Sequence, residues 1–306
     1  AEVEVLAQSC ISQQAILKFP REMQDKTKAY VNDQEFVNDI RTRLGYTVEV
    51  TIKRSGYNDE VIYKRIDKIY EDITEEINSI KWKVTLVADK FVVVTAEHQT
   101  AGRGQRGNVW NSNAGENLLL SILVRPAEAL AVKEQFFLSQ AVALALHDAM
   151  SCYGIETRLK WPNDIYVGNR KLAGVLVELD YSGAFVEQAI IGVGINVNQE
   201  CFPEMDREPV SMKMLQGCDY SLDDVLEKFL NSFEYYYTVL LDGDATMLMS
   251  EYTRLLLGYN EWRTFIDKSG CFNAVIEGVE SDGHLLVRHS NGVLLRYAFK
   301  EIEQLL

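Results

Sequence analysis

Lys160-Trp161-Pro162-Asn163-Asp164-Ile165, followed closely by Arg170-Lys171-Leu172-Ala173-Gly174-Val175-Leu176-Val177-Glu178, is the stretch on which the reading of this chain turns. It lies in a series of short strand patterns at 156–160, 165–167, 173–180 and 188–196. Asn-Asp after a proline is a turn former, so a hairpin with a buried tryptophan accounts for the first part. The second part is less ordinary. Lys171 stands immediately before a buried run, where a charged side chain is costly without an anionic partner. Gly174, inside an otherwise apolar strand, points to close approach of a ligand or another backbone.

Upstream, 118–124 reads as a buried strand and 84–96 as one or two more. Residues 134–153 form a helix pattern with Phe137, Leu138, Ala141, Leu144, Ala145 and Met150 turned inward. Downstream, 222–241 and 245–257 are helical. After Gly258 the texture changes to short strands at 263–267, 273–279, 285–289 and 293–298, joined by Lys-Ser-Gly, Ser-Asp-Gly and Ser-Asn-Gly turns. Nearer the start, 2–6 alternates as a strand and 47–53 as an exposed strand. Phe36, Val37, Ile40 and Leu44 share a helix face that Gly45 ends. Ile62, Ile66, Ile69, Ile73, Ile77 and Ile80 make an isoleucine stripe at helical spacing, read as a packed face.

Two further motifs carry chemical interest. Gly102-Arg103-Gly104-Gln105-Arg106-Gly107 combines freedom of the main chain with two guanidinium groups, a combination suited to phosphate or carboxylate oxygens. It lacks the Gly-Lys-Ser/Thr ending of a Walker loop, and a strand rather than a helix follows it. On loop chemistry alone, a glycine-rich surface turn with solvated arginines fits equally well. Gly192-Val193-Gly194-Ile195-Asn196 places two glycines in a buried strand. Close approach of a ligand and tight sheet packing are both acceptable readings of it.

Bulk composition narrows the class. Of 306 residues, 47% are hydrophobic and 25% charged, enough apolar material for a real core in one large and one small domain or two medium ones. The net charge of −14, from 45 acidic and 31 basic residues, repels nucleic acid, and no local basic face offsets it. Five scattered cysteines without a C-x-x-C pair argue against a disulfide framework and a zinc site. No apolar run approaches the roughly 18 residues of a membrane span, and no signal peptide is visible, so the cytoplasm is the expected compartment.

The joint order of Gln99-Thr100-Ala101-Gly102-Arg103-Gly104, Lys160-Trp161-Pro162-Asn163-Asp164, Lys171-Leu172-Ala173-Gly174 and Gly192-Val193-Gly194-Ile195-Asn196 closely resembles the biotin–protein ligase family. The resemblance covers about 91–200 with high specificity and continues more loosely to the C-terminus. It implies an α+β fold, a mixed β-sheet with helices packed on one side (a class II synthetase-like ligase fold), plus a small C-terminal SH3-like β-barrel. Residues 1–258 would then be the catalytic domain and 259–306 the barrel. It also implies that biotin and ATP, with Mg2+, form biotinyl-5'-AMP, and that biotin passes to a lysine of a biotin carboxyl carrier domain.

In that resemblance Arg103, Lys171 and Asp164 are the catalytic positions. Gln99, Arg103 and Gly104 would line biotin and the mixed anhydride, while Trp110 covers the adenine side. Lys171 would contact the biotin carboxylate and the α-phosphate, and Gly174 would admit the biotin ring. Asn163 and Asp164 would organise the nucleotide and magnesium side, with Asp164 also the candidate base in transfer. Asn196 belongs to the adenylate pocket, and Gly102, Gln105, Arg106, Lys160, Val175, Gly192 and Val193 join the binding set. No direct protein cluster for a metal is implied.

The chain departs from the family in three places. Gln105 stands where a second arginine is usual, and the lost charge predicts faster dissociation of biotinyl-adenylate than from a Gln105→Arg variant. Ile11-Ser12-Gln13 stands where a Ser-Thr-Asn turn normally touches biotin. Ser12 and Gln13 keep hydroxyl and amide chemistry, with a simple helix start as the alternative. The segment at about 20–83 has no family counterpart; docking of the carrier protein and homodimerisation are the roles its amphipathic helix suggests. Other readings are a lipoate or octanoyl ligase of the same fold, a ligase that is also a repressor, and a biotin-binding protein without turnover.

Overall fold

A computed structural model describes residues 48–53, 82–87, 91–99, 102, 104, 110–126, 130–203 and 207–306. The expected strand at 2–6, the helix ending at Gly45 and the isoleucine stripe lie outside these residues. The chain divides into two compact units. The first holds 1–125, 176–180 and 188–203; the second holds 126–175, 181–187 and 204–306.

In the first unit the strands are β1 (Val48–Lys53), β2 (Trp82–Val87), β3 (Phe91–Ala96) and β4 (Leu118–Val124), with the parts of β7 (Arg170–Ser182) and β8 (Phe185–Ile195) that fall in it. Their order is β1-β2-β3-β4-β8-β7. β1 runs parallel to β2, whereas β2–β3, β3–β4 and β4–β8 are antiparallel, so the sheet is mixed as the resemblance implied. The run at 84–96 resolves into two strands, with Trp82 opposite Ala96. Every residue of β4 is buried, which explains an apolar sequence broken only by Ser121 and without alternation.

The second unit carries the helices. A 3-10 turn (Val132–Glu134) leads into α1 (Phe136–Ser151), whose buried residues run almost all round it and include all six expected to face inward. α2 (Met212–Gln216), α3 (Leu222–Leu241) and α4 (Ala245–Leu255) follow. Each begins at a residue whose side-chain oxygen accepts a backbone N–H of the first turn: Ser211 from Met214, Ser221 from Asp224 and Asp244 from Met247. α3 buries Val225, Phe229, Phe233 and Tyr237 at four-residue spacing, and it packs on α1 with α4 beside them. No helix among the described residues is long and apolar enough to cross a membrane.

The same unit holds β5 (Arg158–Lys160), β6 (Asp164–Val167) and the start of β7, paired in that order. It ends in a five-stranded antiparallel sheet of β9 (Trp262–Asp267), β10 (Gly270–Val279), β11 (Leu285–His289), β12 (Leu294–Tyr297) and β13 (Ile302–Gln304), in the order β12-β11-β10-β9-β13. Phe265, Ile276, Leu285, Val287 and Ile302 form its interior. The three turns read from the sequence each carry a glycine with positive φ, at Gly270, Gly283 and Gly292. This sheet fits an SH3-like barrel, though it stays open between the β12 and β13 edges. β13 was not visible in the sequence because three residues are too few to show alternation.

Candidate functional site

Two constellations of the expected residues are described, one in each unit. In the first unit Gln99, Gly102, Gly104, Trp110, Gly192, Val193 and Asn196 are placed. The backbone N–H of Trp110 donates to the Gly102 carbonyl at 3.0 Å. A Cβ on Gly102 would lie 2.3 Å from the Trp110 carbonyl oxygen and 2.6 Å from Gln99 Oε1, so the glycine is required by close approach. The Trp110 indole rests on β8 at Gly194, where a Cβ would fall 2.4 Å from Cε2 and 2.6 Å from Cζ2. Gly192, two residues earlier, shares that face, and Val193 faces the other way. This stretch of β8 therefore reads as a bare backbone platform for an aromatic plate, not as ordinary sheet packing.

What holds the plate was not foreseen. Asn117, 1% exposed, donates through Nδ2 to Gln199 Oε1 at 2.5 Å and to Ser112 Oγ at 3.1 Å, while its Oδ1 accepts the Val197 N–H at 2.9 Å. Gln199 Oε1 also accepts the Asn113 N–H. These buried amides tie the segment after Trp110 to the chain leaving β8, beside the buried Asn196. Neither Asn117 nor Gln199 lies in a glycine- or charge-marked motif, so no sequence signal identified them.

In the second unit Lys160, Asn163, Asp164, Lys171, Gly174 and Val175 come together because β5, β6 and β7 are neighbours. Lys160 lies opposite Asp164 on β5 and β6, and Asp164 lies opposite Gly174 on β6 and β7. Glycine at that point sets no side chain opposite the carboxylate. A register shift after Ile165 then sets Tyr166 opposite Lys171. The anionic partner demanded by Lys171 is Asp164: Nζ lies 2.6 Å from Oδ1. The second carboxylate oxygen faces Arg207 Nη1 at 3.1 Å, and Arg207 Nη2 reaches Glu303 Oε1 at 3.3 Å. Arg207 escaped sequence reading because it sits in an ordinary charged segment.

Asn163 uses its amide on the main chain: Nδ2 donates to the Val175 carbonyl at 2.5 Å, and the Val175 N–H donates to the Asn163 carbonyl at 2.9 Å. Trp161 Nε1 donates to the Gly283 carbonyl at 2.9 Å, and its ring meets Phe299 edge-on at 6.0 Å between centroids. The turn is thus anchored on both sides, leaving Lys160, Asp164 and Lys171 on fixed backbone. Ser12, Gln13, Arg103, Gln105 and Arg106 lie outside the described residues.

Lys160 is 5% exposed, with its ammonium 5.8 Å from the centre of the Tyr166 ring. Burial, reinforced by the nearby Arg207 charge and opposed by Asp164, lowers its pKa to about 8. Burial pushes the Tyr166 hydroxyl up to about 12. Lys160, Lys171 and Arg207 face Asp164 and Glu303, a local cationic surplus in a chain of net charge −14. Such a surplus suits an anion. Among the described residues, Glu280, Asp282 and His284 form a group of metal-ligand types, but both carboxylates pair with Arg296.

Lys160 also carries a pH prediction. Its charge is present below about pH 8 and lost above it. Folding disfavours the ammonium, so its cost to stability is full below about 8 and fades as pH rises toward the ordinary value of 10.5. Any anion-dependent step that uses this charge falls as pH rises through about 8. A pH–rate profile of Lys160→Arg, which stays charged, is expected to lose that alkaline limb; an unchanged limb would place its origin elsewhere.

The sequence pattern of the biotin/lipoate A/B protein ligase family matches residues 69–196. The chain is 29% identical over 250 residues to the bifunctional ligase/repressor BirA of Bacillus spizizenii, covering 80% of this chain and 76% of that protein. It is 42% identical over 112 residues to a biotin–[acetyl-CoA-carboxylase] ligase of Mycobacterium tuberculosis, covering 35% of this chain and 40% of that one. Its fold is similar to that of the biotin protein ligase from Aquifex aeolicus solved with biotin and ATP. The TM-score is 0.58 at 24% identity, over 73% of this chain and 88% of that one.

Proposed function

The chain belongs to the biotin/lipoate A/B protein ligase family, and from that premise we propose that it is an ATP-dependent biotin–protein ligase. The observation that carries the reading is the Lys171–Asp164 pair, beside Gly174 and within a cationic cluster, at the positions where the family resemblance puts the reacting carboxylate and α-phosphate.

In the first step a biotin carboxylate oxygen attacks the α-phosphorus of ATP. A P–O bond forms, the bond to the bridging α–β oxygen breaks, and pyrophosphate leaves with that electron pair. Two anions must approach each other, so cationic groups placed beforehand lower the barrier. Lys171 is the ammonium suited to this, with Lys160 adding charge behind it. Holding both reactants in place also removes a bimolecular encounter, an effect of roughly 7–11 kcal/mol in favourable cases. Within the first unit, Trp110 on Gly194 is a flat aromatic surface of the kind that receives a nucleotide base.

In the second step the neutral ε-amine of an accepting lysine attacks the acyl carbon. A C–N bond forms, the C–O bond to AMP breaks, and one proton must be taken up. Asp164 takes this proton in our reading. When Lys171 turns from Oδ1 to the phosphate, that oxygen is freed as a proton acceptor, while Arg207 keeps Oδ2. Magnesium enters with ATP as the substrate complex. The residues here fit that role better than a protein cage, because both oxygens of Asp164 already face cations.

The carrier is a biotin carboxyl carrier domain, in keeping with the names of the relatives. The test is incubation with ATP, magnesium and either biotin or lipoate, following pyrophosphate release with and without such a domain. Release that depends on biotin, and label that reaches the carrier lysine, is the expected result. Release with lipoate alone would overturn it. The repressor role in the Bacillus relative's name is not carried over, and a DNA mobility-shift assay at low salt is expected to show no complex.

A further inference from the structure

We infer that Arg207 is a positioning residue for Lys171, acting through Asp164 and itself oriented by Glu303. This deepens the reading above and rests on Lys171 serving the adenylation step.

Asp164 is a carboxylate with 6% of its side chain exposed, and it faces two cations, Lys171 on one oxygen and Arg207 on the other. With Lys171 alone the pair would be neutral. The ammonium would then offer a phosphate little, and leaving Asp164 would strand a buried carboxylate without compensation. A second cation changes both terms. Arg207 keeps Asp164 compensated after Lys171 has turned away, and Lys160, Lys171 and Arg207 set against Asp164 and Glu303 leave one net positive charge for the incoming anions.

Arg207 is suited to this by shape and by chain path. Its fork contacts Asp164 through Nη1 and Glu303, on β13, through Nη2, which fixes the plane of the guanidinium. The segment that carries it is laid beside Lys171 by backbone bonds: the Lys171 N–H donates to the Glu208 carbonyl, and the Val210 N–H donates to the Lys171 carbonyl, both at 2.9 Å. Arg207 and Glu303 are 42% and 56% exposed, so their ion pair adds little to folding. The effect on chemistry is therefore separable from the effect on stability.

The test is biotin-dependent ATP–pyrophosphate exchange by the full chain and by R207Q, R207K, E303Q and the R207Q/E303Q double variant, with thermal unfolding alongside. R207Q is expected to lower kcat about tenfold, the order expected from losing one charge-assisted contact, with a smaller change in KM for biotin. R207K keeps the charge without the fork and recovers part of the rate. E303Q lowers kcat by about two- to threefold, an effect of the size seen for exposed pairs. In the double variant that extra loss disappears, because Glu303 acts only through Arg207. Unfolding temperatures shift little throughout. Exchange that is undiminished in R207Q, or an E303Q loss that persists in the R207Q background, overturns this inference alone. No exchange by the parent protein overturns the functional reading and this inference with it.

Discussion

Replacing Lys171 with methionine is expected to lower biotin-dependent pyrophosphate exchange by about 10²- to 10³-fold, the range lost when one preorganised charge-stabilising group is removed. Methionine keeps the unbranched apolar stem and removes only the ammonium, so packing on β7 is little disturbed. Asp164 is not left alone by the change, because Arg207 remains 3.1 Å from Oδ2. The protein should therefore fold, with circular dichroism and gel filtration unchanged. The loss should fall on kcat, since the charge that Lys171 meets grows as the five-coordinate phosphorus forms. Lys171→Arg should restore little, because a planar fork does not fit where a compact point charge turns from Asp164 to a phosphate. Exchange within threefold of the parent in Lys171→Met would remove Lys171 from the chemistry and the proposed mechanism with it.

The second large effect is expected at Gly194. An added methyl would sit 2.4 Å from Trp110 Cε2, against an ordinary carbon–carbon contact of about 3.5–4.0 Å. The indole cannot stay on β8 and must leave its place. Since Asn117 and Gln199 hold the chain just beyond Trp110, the ring cannot move without disturbing those bonds. Gly194→Ala should cost about 1–3 kcal/mol of stability, as overpacking does. It should also raise KM for ATP by roughly a hundredfold, the loss of a stacked aromatic surface together with its preorganisation. Combining it with Trp110→Ala isolates the cause. In that background the stability cost of the extra methyl should vanish, because nothing remains for it to strike. If the cost persists, strain in β8 itself explains it and the platform reading is wrong.

The two constellations differ in how far residue patterns reveal them. Lys171 before a buried run asked for an anion, and Asp164 answers at 2.6 Å. Gly194 announced close approach, and the Trp110 ring is what approaches. In both cases a single residue violated its local setting, a charge beside an apolar strand or a glycine within one, and the violation is itself visible in one dimension. Asn163 stands differently. Read from its residue type it is a turn former, the resemblance puts it on the nucleotide side, and the structure gives Nδ2 to the Val175 carbonyl. A polar side chain in a turn satisfies its own backbone as readily as a substrate, and residue type alone does not distinguish the two.

Taken as a string of residues, the chain determined most of its described strands, its three longer described helices and the chemical types at its site, because periodicity, turn residues and misplaced charges are local properties. Only the folded molecule decided that Arg207 joins Asp164 from 43 positions away, that Asn117 and Gln199 secure the Trp110 segment across 82 positions, and that β13 supplies Glu303. Those partners are ordinary polar residues in ordinary segments. Ion pairs and amide bonds are set by distance in space, and for groups so far apart along the chain that distance is fixed by packing and not by sequence separation.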